Sequence, residues 1–409
     1  MQKFSAFQYI KLDIANSFGL DKDLFEERLN WFEQNKMQLA SLVDSADEPA
    51  QFYAGMLAYE DTKAGKPTGY LVGMDATASG LQCMAALTGC KVTARSVNMI
   101  DPDCRKDVYT DGYHAMIALL DGKMDKFERA QTKDATMTHF YGSQANPRKL
   151  FGENSIELQK FYEMVNIVAP GANMLRQDLI DIWQPFANQH MWVLPDGFTA
   201  IVKVMSMVEE SFEVNELNSS FTHRYWINKG TATGLSLAAN VIHSVDGFVV
   251  REMNRRANYD VDMIKRVYSA LTGGTSHVYI KDEDVHTEKL KRLVGLAEAH
   301  KMVSVVLAEH ITHGNVDMVP LWIKRELIRI IEQMLNHKPF ALIAIHDCFK
   351  CHALYMNEVR QNYIDIFADM ADSYMLSCMI GQIVGKRVPV RKLSTDLSKD
   401  IRNSNYMLS

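Results

Sequence analysis

The chain has 409 residues, of which 47% are hydrophobic and 23% charged, and its formal net charge is −6. These proportions exclude a disordered chain and are enough for a sizeable core. The acidic balance weighs mildly against a nucleic-acid partner, although phosphate binding needs only a local basic surface. No apolar run approaches transmembrane length and no basic-then-apolar leader opens the chain, so no membrane partner is expected. Six irregularly placed cysteines suit reduced thiols in a cytosolic setting.

Residues 1–50 read as a short strand or loop and then a helix. Phe25, Leu29 and Phe32 recur there at helical spacing, behind an Asp21 or Asp23 N-cap. Ala50–Glu60 is a predicted buried helix, leading through Lys63–Pro67 to an apolar strand, Tyr70–Met74, that delivers Asp75 at its end. Small residues and the helix-compatible Leu81–Leu87 follow, and a lone Asp in that place is most simply the cap of the next helix. Residues 105–165 look helical and are broken at Ser143–Pro147. Within them Arg129, Lys133, Met137 and Tyr141 stand at i, i+4, i+8 and i+12, on one helix face.

Between 172 and 227 the pattern is mixed. Trp192–Lys203 reads as a strand, a Pro195-Asp196-Gly197 turn and a returning strand. Gly230–Asp246 carries a small-residue helix predicted to end at His243. Residues 283–300 read as a solvated helix and Trp322–Leu335 as an amphipathic one. Phe340–Ile345 is typical of a buried strand and again ends in an acid, Asp347. A long helical stretch runs from Cys351 to Gly381, and the basic tail from Gly385 to Ser409 reads as irregular. No internal repeat or low-complexity linker is visible.

Two carboxylates distant in sequence, each at a strand end, suit a shared pair of Mg²⁺ ions. Two cations and a phenol along one helix suit a triphosphate at one end and a sugar or base at the other. Together, Tyr70–Gln82, Arg129–Gly142 and Phe340–Asp347 resemble motifs A, B and C of the single-subunit, phage-type DNA-directed RNA polymerases. Trp192–Phe198, Asn240–Gly247 and Ile10–Asn16, with Phe25–Arg28 after it, also resemble segments of that family and occur in its order. The resemblance covers almost the whole chain. The promoter-binding N-terminal domain, the thumb and the first part of the palm have no counterpart in it. The nearest likeness is the catalytic palm-and-fingers subunit of the split, heterodimeric enzyme of some lytic phages.

That resemblance implies an α+β fold: a right-hand polymerase palm built on an antiparallel sheet, with helical fingers. Palm would occupy residues 1–103, fingers 104–243, and the second part of the palm with a C-terminal foot 244–409. It implies two-metal transfer of NTPs to an RNA 3′ end on a DNA template, releasing pyrophosphate, in the cytoplasm of an infected bacterium. Asp75 and Asp347 would hold the two Mg²⁺, with Lys133 and Tyr141 catalytic beside them. Arg129, Lys133, Tyr141, His243 and Lys11 would bind the nucleotide, and Gly142 would let the template approach. A second subunit supplying the N-terminal domain and thumb, and a DNA-binding recruitment factor, are the implied partners.

Three rivals compete. His346, Cys348, Cys351 and His352 have zinc-like ligand types, but on a strand Asp347 would point away from its neighbours, and Phe349-Lys350 offers no knuckle turn. A non-catalytic scaffold of the same fold would not need Asp75, Lys133, Tyr141 and Asp347 together. A family A-like DNA polymerase or primase shares the palm logic. Those polymerases place a bulky Glu where this chain has Gly80, whose small size leaves room for a ribose 2′-hydroxyl. Tyr141 and His243 look like the pair that recognises that sugar. RNA synthesis is the favoured expectation.

Overall fold

The computed structural model describes residues 1–122, 127–274 and 283–409. Helix α1 (Ala6–Ala15) begins at once, because Ser5 and Gln8 close a capping box around its free N–H groups. A strand at the start of the chain is therefore not formed. Helix α2 (Phe25–Asn35) starts behind Leu24, whose N–H is met by Glu27 at 2.8 Å, so neither Asp21 nor Asp23 is the cap. A short α3 (Leu39–Leu42) and α4 (Pro49–Lys63) follow.

Strand β1 (Leu71–Asp75) leads into α5 (Ser79–Thr88), every residue of which is buried, and then α6 (Lys91–Ser96). A helix apolar all round belongs inside a core, and α5 packs on α11, α12 and α16. The helical middle comprises α7 (Val108–Leu119), α8 (Arg129–Phe140), α9 (Ala145–Phe151), α10 (Ile156–Val168) and α11 (Pro170–Asp181). Two antiparallel hairpins come next. Strands β2 (Gln189–Val193) and β3 (Thr199–Lys203) flank the expected Pro-Asp-Gly turn; β4 (Met205–Val214) and β5 (Ser219–Asn228) form a longer ribbon.

Helix α12 (Ser236–Ala257) does not stop at His243 but runs on for a further fourteen residues, to Ala257. The expected palm boundary between 243 and 244 therefore lies inside a continuous helix. Helices α13 (Val261–Leu271), α14 (Glu283–His300) and α15 (Leu321–Leu335) build a second apolar cluster, around Ile264, Leu290, Leu307, Ile323 and Leu327. Helix α14 is thus not solvated all round: Leu290, Leu293, Val294 and Ala297 turn one face inward. Strands β6 (Ile343–Ile345) and β7 (Cys348–His352) then lead to α16 (Met356–Asp372), α17 (Met375–Val384) and, in the tail, α18 (Leu397–Arg402).

The sheet that matters is antiparallel and ordered β1-β7-β6, with Asp75 opposite Cys348 and Ile345 opposite Cys348 on the other side. The outer edge of β1 is closed by Asp13 of α1, whose Oδ1 accepts the Gly73 N–H at 2.8 Å. The outer edge of β6 is open: Ile343 is 45% and Ile345 52% exposed. The last residues return to this sheet. Leu408 bridges Ala76, and the Ser409 N–H donates to the Asp75 carbonyl at 3.0 Å.

Candidate active site

Both singled-out carboxylates arrive at the same end of the sheet. Asp75 is the last residue of β1, while Asp347 lies in the two-residue turn between β6 and β7 rather than on a strand. The Ala76 N–H donates to the Asp347 carbonyl at 3.1 Å, tying the two segments together. Burial raises the Asp347 carboxyl above its ordinary range, and the negative Asp75 raises it further. Its compensation comes from backbone, including the Ser79 N–H at the start of α5. Two residues that are not glycine take left-handed backbone here, Ala78 (φ 55°) and His346 (φ 56°), one beside each carboxylate. Such conformations cost about 1–3 kcal/mol each and cluster at sites where geometry is imposed.

The zinc reading finds no support in this arrangement. Among the described residues no three His, Cys, Asp or Glu side chains gather as a metal-binding group. Burial, and then Asp75, push the Cys348 thiol far above its usual range, and it is hydrogen-bonded to Asp75. Burial pushes Cys351 up to about 12. Neither is poised to become a thiolate.

Helix α8 presents its expected face beside the carboxylates. Arg129 donates to Thr110 Oγ1 at 2.7 Å and is paired with Asp107, whose carboxyl is lowered on balance. In that balance burial opposes the lowering, while Thr110 and Arg129 produce it. The Lys133 ammonium lies 5.5 Å from the centre of the Tyr109 ring, and Tyr141 ends α8 as its C-cap. Tyr109, Met137, Phe140, Tyr141, Ser79, Gly80 and Asp347 all line one cavity of about 120 Å³. A larger cleft of about 940 Å³ opens near Lys91, Arg95, Asp101 and Asp400, but its cations are already paired with its acids.

At Gly80 the structure revises the expectation. A Cβ on it would stand 2.3 Å from the Tyr141 hydroxyl oxygen. The room left by glycine is occupied by the Tyr141 hydroxyl. The Tyr141 ring in turn meets His243 of α12, with centroids 4.8 Å apart. The expected Tyr–His pair is brought together from helices about one hundred residues apart.

Two expected site residues have other neighbours in the structure. Lys11 is on α1, paired with Glu33 and over the rings of Phe7 and Phe32, at 4.9 and 5.5 Å. Asp13, two residues on and so on the opposite side of α1, is the one that faces β1. Gly142 does have left-handed backbone (φ 95°), but what approaches it is the chain's own Leu235 carbonyl, 2.8 Å from where a Cβ would be. Sequence reasoning assigns no role to Ser79 or Asp246. Asp246 lies within the Asn240–Gly247 segment, one helical turn after His243, and that spacing is the signal that could have found it.

Residues 3–176 match the family model described as DNA-dependent RNA polymerase, a class of nucleotidyltransferases. That match covers residues 3–176 of 409, so the likeness holds for that part of the chain. It is 36% identical over 114 residues to a probable DNA-directed RNA polymerase of Neurospora crassa, a match covering 25% of this chain and 12% of that one. It is 33% identical over 119 residues to the DNA-directed RNA polymerase of Pseudomonas phage phiKMV, covering 25% and 15%. A mitochondrial DNA-directed RNA polymerase of Neurospora crassa is 26% identical over 167 residues, covering 34% and 12%. The matched segments thus span only 12 to 15% of the length of the first two relatives.

Proposed function

We propose that this chain is the catalytic palm and fingers of a phage-type DNA-directed RNA polymerase, adding ribonucleotides to an RNA 3′ end on a DNA template. The observation that carries the reading is the convergence of Asp75 and Asp347 at one end of the β1-β7-β6 sheet. Two adjacent carboxylates, one of them raised partly by the other, are a site that a hard divalent cation would relieve. Asp75 and Asp347 would hold Mg²⁺, which when bound activates the 3′-hydroxyl and neutralises the leaving pyrophosphate.

The chain's own residues do the rest. Lys133 and Arg129 on α8 would take the triphosphate, Arg129 exchanging Asp107 for phosphate oxygens. Tyr109 and Met137 wall the cavity in which the nucleotide is oriented. Tyr141, held between Gly80 and His243, would read the sugar. A ribose hydroxyl missing from that polar site costs about 1–3 kcal/mol of discrimination, which favours RNA over the DNA polymerase alternative. A partner polypeptide would complete the enzyme. The open, apolar β6 edge is a natural place for one, since an exposed edge of that kind is otherwise an aggregation hazard.

The test is labelled NTP incorporation on a primed DNA template, with the chain alone and with the polypeptide that copurifies with it. Incorporation that requires ribonucleotides and disappears in Asp75→Asn and Asp347→Asn supports the proposal. Equal incorporation by both variants and the unchanged chain defeats it.

A further inference from the structure

Asp246 is a half-buried carboxylate that the chemistry above leaves unused. It stands on α12 at i+3 from His243, and so on the same face. Its Oδ2 accepts the Ser79 hydroxyl at 3.2 Å. Its charge also faces the phenols of Tyr141 and Tyr363 and the thiol of Cys83. Tyr363 is already engaged, donating to Gln82 Oε1 at 2.7 Å, and a buried thiol is a weak donor. Ser79 is therefore the firm contact.

Ser79 links two sides of the site. Its backbone N–H goes to Asp347 and its hydroxyl to Asp246. The next residue, Gly80, lies against the Tyr141 hydroxyl, and the Tyr141 ring lies against His243. A closed circuit of contacts thus runs from Asp246 through Ser79, Gly80, Tyr141 and His243, and back along one turn of α12. A half-buried carboxylate given one neutral donor is a poor packing residue; an apolar side chain would serve a purely structural position better.

We propose that Asp246 is a positioning residue for sugar selection, fixing through Ser79 the place of Gly80 and hence of the Tyr141–His243 pair. The inference rests on the polymerase reading above. Asp246 itself touches neither sugar nor phosphate. It sets how closely α5 and α12 approach, and so how tightly the Tyr141 hydroxyl is held for a ribose.

The experiment compares kcat and KM for ATP and 2′-deoxyATP in single-nucleotide extension by the polymerase together with the polypeptide that copurifies with it. The variants are Asp246→Ala, Asp246→Asn, Ser79→Ala and Tyr141→Phe. The expected result is a roughly 3- to 10-fold fall in the ATP-over-dATP ratio of kcat/KM for Asp246→Ala, the worth of one part-buried hydrogen bond. Ser79→Ala should give a similar fall, and the double variant no further one. Asp246→Asn, which keeps an acceptor for Ser79, should return the ratio towards that of the unchanged protein. A structural role alone would lower both nucleotides equally. Should Asp246→Ala fail to fold, Ser79→Ala decides: an unchanged ratio there overturns the inference. An unchanged ratio in Asp246→Ala beside a fall in Tyr141→Phe overturns it as well and leaves the polymerase reading standing. No ribonucleotide preference in the unchanged protein overturns both.

Discussion

Replacing Gly80 by alanine would put a methyl carbon 2.3 Å from the Tyr141 hydroxyl oxygen, 2.9 Å from Cζ and 3.4 Å from Cε1. To reach ordinary contact the hydroxyl must retreat by roughly 1 Å, and a close-packed neighbourhood resists such a shift. Overpacking of this kind costs about 1–3 kcal/mol, while Gly→Ala within a helix returns about 1 kcal/mol. Net stability should therefore fall by about 0–2 kcal/mol, measured as a urea midpoint. Tyr141 is only partly buried and its ring can swing, so the strain should be relieved mainly by moving Tyr141 off His243. The consequence belongs to selectivity. Losing the polar contact to a ribose is worth about 1–3 kcal/mol, or roughly 5- to 150-fold in the ATP-over-dATP ratio. The assay is competitive primer extension alongside urea unfolding. A Gly80→Ala protein that folds and keeps its full ribonucleotide preference, while Tyr141→Phe loses it, would refute the placement of Tyr141 against Gly80.

Three further outcomes are expected. Asp75→Asn and Asp347→Asn should each reduce nucleotide incorporation by at least about 100-fold, yet leave the melting midpoint unchanged or higher, because each removes one of two like charges; a marked drop in midpoint would contradict this. Acid should destabilise the fold early. Burial holds His139 and His300 down to about 4, so each stays neutral in the folded chain while the unfolded chain takes up protons below its ordinary value of 6.5. The stability tied to these two is full at pH 7 and is lost as the pH falls from about 6.5 towards 4, on the order of 2 kcal/mol per histidine at pH 5. Asp246, raised to about 6 chiefly by burial, works in the opposite sense, as do Asp13, Asp178 and Asp347, also raised chiefly by burial, and together they offset part of that loss. A urea midpoint equal at pH 7 and pH 5 would count against the assignment. Gly234→Ala would set a Cβ 2.4–2.6 Å from ring atoms of Trp183, itself buried and bonded to the Thr231 carbonyl. A rigid indole cannot swing away as Tyr141 can, so a loss of about 1–3 kcal/mol is expected and a neutral result would disprove the contact.

The elements most legible in the sequence are those with strong one-dimensional patterns. Apolar runs ending at Asp75 and near Asp347 mark the two strands that bring the acids together, and the four-residue spacing from Arg129 to Tyr141 marks the α8 face. What escapes is set by tertiary context. Helix α14 carries Leu290, Leu293, Val294 and Ala297 at core spacing, but its many charges mask them, and only the second apolar cluster shows where that face goes. The β4–β5 ribbon turns through a short helical tip and Asn218 in left-handed backbone (φ 48°), without the Asn-Gly or Asp-Gly pair that would announce a hairpin. Lys11 reads as a strand residue in the sequence, but a helix puts it opposite Asp13, where a strand would put both on one face. Asp246 and Ser79 are 167 positions apart, and no local pattern connects them.

The Asp75 end of the sheet draws on residues 75, 347 and 407–409, so everything from β1 to Ser409 must be made before it can close. On a ribosome adding about 5–20 residues per second, Asp75 waits tens of seconds for its counterpart. During that interval β7, the strand that pairs with β1 in the folded sheet, has not been made, whereas α1, whose Asp13 accepts from the Gly73 N–H, already has. The order of synthesis thus supplies the Asp13 edge contact of β1 before the strand itself, and its strand partner only long afterwards.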